Sequence, residues 1–255
     1  YLFAERSEWQ SYTRELMQDR AALYLHLGRG ADSVRGTAVL FDIDEYGYRD
    51  TFSIIAHEGW HQYTQVVFQH ALPTWLEEGI ATWMEGRIER RDGSFEFNGL
   101  ANRARLEMLS NALNTGRLIK LTELIERVPQ QFLQEGDRNQ TRLLIYYAQV
   151  WALVNFLNEG EDGRYRPALE KVLQDAKDGR IVSTILTSPF IPGQQQRRTM
   201  ATSVLGPGVI LAYFNRDLAE FDEQFHRYIA DLVNRRGSRL RRYVTEVEEQ
   251  NARPE

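Results

Sequence analysis

Cysteine is absent from the 255-residue chain. Disulfides are therefore excluded, and so is any metal site built on thiolates; an ion here would have to be held by His, Asp or Glu. The absence leaves the compartment open, because proteins on both sides of a bacterial inner membrane do without cysteine. Long apolar runs are missing too. No stretch of roughly 18 apolar residues occurs, so no membrane-spanning helix is expected. Positive charge is not in excess. The net charge of -5 and the pI near 5.7 argue against a binder of phosphate backbones, which needs a basic surface. Arg235, Arg236, Arg239, Arg241 and Arg242 do crowd the C-terminal region. With Glu246, Glu248 and Glu249 following, they read as a solvated helix face. An initiating Met is also lacking. Tyr1 opens the chain inside an apolar run, which leads to the expectation of a lost targeting segment and an extracytoplasmic (periplasmic or secreted) protein.

What is present is ordinary for a globular chain: 42% hydrophobic and 26% charged residues. This length suffices to bury a core without staples. Residues 1–5 and 37–43 (TAVLFDI) are apolar, the second β-branched and aromatic, and read as strands. Residues 8–27 have helical spacing, followed by a turn around Gly28, Gly30 and Gly36. The segments 51–70, 74–91, 100–114, 141–158 and 167–177 read as helices, with Gly160 and Gly163 as a stop. The stretch 183–208, within a region 181–213, is rich in Pro, Gly, Gln and Thr and reads as a long loop. Residues 217–234 read as a helix opened by a capping box of Asp217 and Glu220. The expected fold class is α+β. One domain over 1–255 is the simplest account: a strand-rich part (1–50), a helical part (51–180), the loop, and C-terminal helices (214–255).

The informative residues are His57-Glu58-Gly59-Trp60-His61, an HExxH motif. On a helix, positions i and i+4 lie on one face, so both imidazoles can reach a single ion. By helical period Phe52, Ile55, Gly59, Tyr63 and Val66 share the opposite side. That side is expected to meet the core, leaving the histidines over a cleft. His26, His70 and His226 lack partner spacing and are read as structural or surface residues.

A third ligand is needed, and the segment 72–81 (LPTWLEEGIA) offers two carboxylates. Thr74 and Glu77 stand as N-cap and N3 of a helix after Pro73, a capping box that gives Glu77 a structural task. Glu78 is left for the metal, with Thr82 one turn on as a hydrogen-bond partner for it. Trp60, Trp75 and Trp83 around the motif are read as packing residues.

HExxH followed by Trp-Leu-x-Glu-Gly-x-Ala resembles the gluzincin pattern of thermolysin-like and aminopeptidase-N-like metallopeptidases. The chain is most similar to the bacterial peptidase-MA-like families, where HEGWHQ and LPTWLEEGIA are at home. The resemblance covers about 53–85 and extends, more weakly, to a helix near Tyr147. It implies a zincin-like catalytic domain, one zinc ion on His57, His61 and Glu78, and Glu58 as the base that activates water. It also implies that Tyr147, in YAQVWALVNFL, hydrogen-bonds the oxyanion; Tyr146 is the alternative one position earlier. Two departures stand out. Sixteen residues separate His61 from Glu78, slightly fewer than in those two groups. The strand 37–43 also lacks the Gly-x-Met-Glu-Asn motif with which aminopeptidases grip a substrate amine.

The expected activity is zinc-dependent hydrolysis of a peptide or protein substrate, which the strand 37–43 would hold in extended form by main-chain hydrogen bonds. The rival readings are a non-catalytic, metal-holding binding module with the same fold, and a helical structural protein in which the motif arose by chance.

Overall fold

The computed structural model describes residues 2–18, 40–41, 51–90, 92, 94–133, 139–202, 206–215 and 217–236. At the N-terminal end β1 (Leu2–Phe3) pairs in parallel with β2 (Leu40–Phe41), in the register Leu2 to Leu40 and Phe3 to Phe41. Between them runs α1 (Arg6–Gln18). The expected strand 1–5 is present but stops at Phe3, and the strand 37–43 is present at its two described residues. The rest of the expected helix 8–27, the glycine turn and the flanks of 37–43 lie outside the described residues.

From α2 (Thr51–Val67) onward the chain is mainly helical, as expected. α3 (Thr74–Met84) starts directly after Pro73, whose fixed φ suits a helix entrance. It stops sooner than the sequence pattern suggests, and the expected helix 74–91 is in fact a helix and half a hairpin. β3 (Arg87–Glu89) turns back through β4 (Phe95–Phe97), antiparallel, with Ile88 opposite Glu96. Gly86 makes this possible: a side chain there would collide with the main chain of Asn98 and Gly99. In the connection, the Asp92 carboxylate accepts from Ser94 N at 2.9 Å.

Next come α4 (Arg103–Asn114), α5 (Leu121–Glu126), α6 (Pro129–Leu133) and α7 (Asn139–Gly163). α7 organises the core. Ala148, Val150, Trp151, Ala152, Leu153, Phe156 and Leu157 are all buried, so this helix is enclosed on every side. α3, α4, α6 and α11 (Leu218–Asp231) pack around it. The helix breaks where the two glycines suggest, with Glu161 and Asp162 at positive φ after Gly160.

After α8 (Arg166–Lys177) the chain departs from expectation again. The segment 183–208 is helical for most of its length, in α9 (Ile181–Thr187) and α10 (Gln194–Thr202). These helices are short, and each inserts little into the core: Ile181 and Ile185 from one, Ala201 from the other. So few anchors leave no readable period. A single π-helical turn (Ile210–Phe214) leads to α11, whose N-cap is Asp217. The Asp217 carboxylate accepts from the N–H groups of Ala219 and Glu220. Only this half of the expected capping box forms, since the N–H of Asp217 donates to Asn215 Oδ1. In outline the chain is α+β, with a small N-terminal sheet and a mainly helical remainder.

Candidate metal centre

The helix pair α2–α3 builds the site. His57 and His61 stand one turn apart on α2, with ring centroids 5.0 Å apart. Glu78 enters from the second turn of α3. His57 Nε2 lies 3.6 Å from Glu78 Oε2, and His61 Nε2 lies 3.8 Å from the same oxygen. Two ligands of a tetrahedral zinc, each at about 2.1 Å, stand roughly 3.4 Å apart. The three groups thus have the spacing of atoms around one ion, and each is no more than 7% exposed. His57, His61 and Glu78 form a group that could hold a metal ion.

The face of α2 that enters the interior is the reverse of the expected one. Phe52, Ile55, Tyr63 and Val66 are 40–60% exposed, while Thr51, Ser53, His57, His61 and Thr64 are buried. The reason is polar. Buried imidazoles must be hydrogen-bonded, and α3 with its C-terminal extension supplies the acceptors. His57 Nδ1 donates to Glu85 Oε1 at 2.9 Å. His61 Nδ1 donates to Glu77 Oε1 at 3.1 Å. A carboxylate on each Nδ1 fixes the tautomer that leaves Nε2 with a lone pair toward Glu78.

Glu77 therefore does not serve a capping box. Thr74 is the first residue inside the helix, Pro73 occupies the cap position, and no side chain caps this end. The Glu77 carboxylate is instead tied to His61 and to the Thr64 hydroxyl, which donates to it at 2.6 Å. Thr82 also differs from expectation: its hydroxyl donates to the main-chain carbonyl of Glu78 at 2.7 Å.

Glu85 is the residue that the motif reading missed. Its Oε2 accepts from Asn102 Nδ2 at 2.8 Å, and its Oε1 accepts from Arg105 Nη2 at 3.1 Å. Asn102 is the buried N-cap of α4, so the cap of one helix holds a carboxylate behind the metal ligand of another. The available signal is the seven-residue step from Glu78 to Glu85, two helical turns along the same face.

Charge also suits a cation. Glu77, Glu78 and Glu85 bring three negative charges around the imidazoles, and Arg105 brings one positive charge. A divalent ion cancels the surplus of two. Burial would lower the pKa of His57, but the hydrogen bond with Glu85 and the nearby Glu78 carboxylate outweigh it, and the value rises to about 9. Without an ion, a proton on His57 serves as the counter-charge.

Glu58 follows His57 on α2 and is partly exposed, unlike the three ligand candidates. Tyr147 is partly buried, with its ring steeply inclined to that of His57 and 6.4 Å between centroids. Tyr146 is fully buried against Phe132, and its hydroxyl makes no hydrogen bond among the described residues. Of the two tyrosines, only Tyr147 is open to an incoming molecule. Trp75 is fully buried and Trp83 donates to Asn155 Oδ1, both packing as expected. His226 bonds within its own helix to Asp222, half-exposed, and His26 lies outside the described residues.

In comparisons with known proteins, the chain matches no family model, no curated protein and no solved structure.

Proposed function

We propose that the chain is a zinc-dependent peptidase of the gluzincin type, with His57, His61 and Glu78 as ligands and Glu58 as general base. The observation that carries the reading is the convergence of two carboxylate-oriented imidazoles on one carboxylate oxygen, at 3.6 and 3.8 Å. Two His and one carboxylate, with no thiolate, suit zinc better than magnesium or calcium. An ion so held supplies a nucleophilic water at neutral pH and polarises a carbonyl.

The chain's own groups do the rest. Glu58, beside His57 and partly exposed, takes a proton from the attacking water and returns it to the leaving amine. Tyr147, whose ring lies beside His57, donates a hydrogen bond from its hydroxyl to the oxyanion. Glu77 and Glu85 accept from Nδ1 of the two imidazoles, so that Nε2 of each is the nitrogen left for the metal. The zincin-like fold belongs to the same proposal.

The test is digestion of a broad peptide library by zinc-loaded protein. Cleavage is expected, and Glu58→Gln is expected to lose about 100-fold or more of it while keeping its zinc. Full zinc occupancy with no cleavage of any peptide would replace the peptidase by a metal-holding binding module.

A further inference from the structure

A buried arginine touches both halves of the site. Arg105, in the first turn of α4, is 4% exposed. Its Nη2 donates to Glu85 Oε1, the same oxygen that accepts from His57 Nδ1. Its guanidinium carbon also lies 5.2 Å from the centroid of the Tyr147 ring. A buried guanidinium is costly unless its charge is met. Here a carboxylate meets it on one side and an aromatic ring on the other. Its Nε makes no hydrogen bond among the described residues. The side chain is thus held by the two groups that flank His57.

We infer that Arg105 is a positioning residue that couples His57 to Tyr147. By fixing Glu85 it fixes the tautomer and aim of His57. By lying against the Tyr147 ring it limits where the phenol can turn. The Tyr147 half rests on the peptidase reading; the His57 half does not. A lysine is not equivalent, because an ammonium lacks the planar fork that can bond Glu85 and lie along a ring together.

The experiment compares wild type, Arg105→Met, Arg105→Lys, Tyr147→Phe and the Arg105→Met/Tyr147→Phe double variant. Zinc dissociation constants come from competition with a chelator, kcat and KM from a cleaved library peptide at saturating zinc, and folding from circular dichroism. Arg105→Met is expected to weaken zinc about tenfold or more, the usual cost of disturbing a ligand's orienting partner. It is also expected to lower kcat with KM changed less than about threefold, since it acts on a group used in the transition state. That kcat loss should largely vanish in the Tyr147→Phe background, where the hydroxyl is already gone. A folded Arg105→Met that binds zinc within about twofold of wild type overturns the His57 half. An equal kcat loss in both backgrounds overturns the Tyr147 half. Should Arg105→Met fail to fold, Arg105→Lys decides: weaker zinc and lower kcat support the inference, and wild-type values of both overturn it. No cleavage by zinc-loaded wild type removes the peptidase reading and the Tyr147 half with it, and the zinc constants then decide the His57 half alone.

Discussion

Each imidazole of the site has a carboxylate near both of its nitrogens. His61 has Glu78 on the side of Nε2 and Glu77 on Nδ1, and Glu77 is itself held by Thr64. Removing the grip should loosen the metal without removing a ligand. Glu77→Ala is expected to weaken zinc about 10- to 100-fold, and Glu77→Gln less, because an amide oxygen can still accept from Nδ1. Chelator competition measures both; an unchanged constant in Glu77→Ala would show that His61 needs no orientation from α3. His57 carries a proton signature as well. With its pKa near 9 in the metal-free chain, it is protonated at pH 7, so zinc must displace that proton. Calorimetry in buffers of different ionisation enthalpy should show about one proton released per ion at pH 7. Release should fade as the pH rises through 9, where the imidazole is already neutral.

That His57 and His61 come together was legible in the sequence because their geometry is local. Four residues make one helical turn, so His57 and His61 must share a face whatever the fold. The orienting partners were harder to read. Glu77 sits where a capping box is also permitted by spacing, and only the position of Pro73 as the cap excludes it. Arg105 and Asn102 reach Glu85 from another helix, about 20 residues away in sequence, and no local pattern announces such a meeting.

At the scale of elements, the α3–α7 contact sets where Glu78 stands. A methyl group on Gly79 would lie 2.7 Å from the Val150 carbonyl oxygen and 2.7 Å from Val154 Cγ2. The glycine beside the ligand is therefore a condition of close helix packing. Gly79→Ala must push α3 away from α7, at about 1–3 kcal/mol for overpacking. Thermal unfolding of the metal-free variant should record that loss, and zinc affinity should fall with it because Glu78 moves. A variant as stable as wild type would mean that the two helices separate freely. Helical periodicity also located α2, α4, α7 and α8 well, since each repeats apolar residues at helical spacing over about three turns or more. It failed on α2's orientation. Period tells which residues share a side, while hydrogen-bond demand decided which side is inward: His57, His61 and Thr64 have partners on α3 and its extension, whereas Phe52 and Val66 stay exposed. Helices α9 and α10 escaped notice because few of their residues enter the core.

At the scale of the whole molecule, another buried carboxylate ties the later helices together. The Asp175 side chain, 1% exposed, accepts from Lys171 Nζ, Arg180 Nε, Thr184 Oγ1 and Tyr213 OH. These residues belong to α8, its end, α9 and the π-helical turn. Burial would raise the Asp175 pKa, but these donors outweigh it and hold the value at about 2, below the ordinary 3.8. A depressed carboxylate stabilises the fold above its unfolded pKa, and that contribution disappears as the pH falls from about 4 to 2. It is worth about 2 kcal/mol, since the Lys171 and Arg180 side chains remain half in water. Asp175→Asn should lower stability by about that amount at pH 7 and flatten the acid limb of the stability curve between pH 4 and 2. Denaturant titrations at pH 7 and pH 3 check it; equal loss at both would assign the effect to packing alone.

The most direct measurement is metal content. Protein loaded with zinc and passed through a desalting column should retain close to one ion per chain, and His57→Ala and Glu78→Ala, each still folded, should retain almost none. Zinc-free wild type after loading, or variants that keep the metal as well as wild type does, would contradict a three-residue centre on α2 and α3.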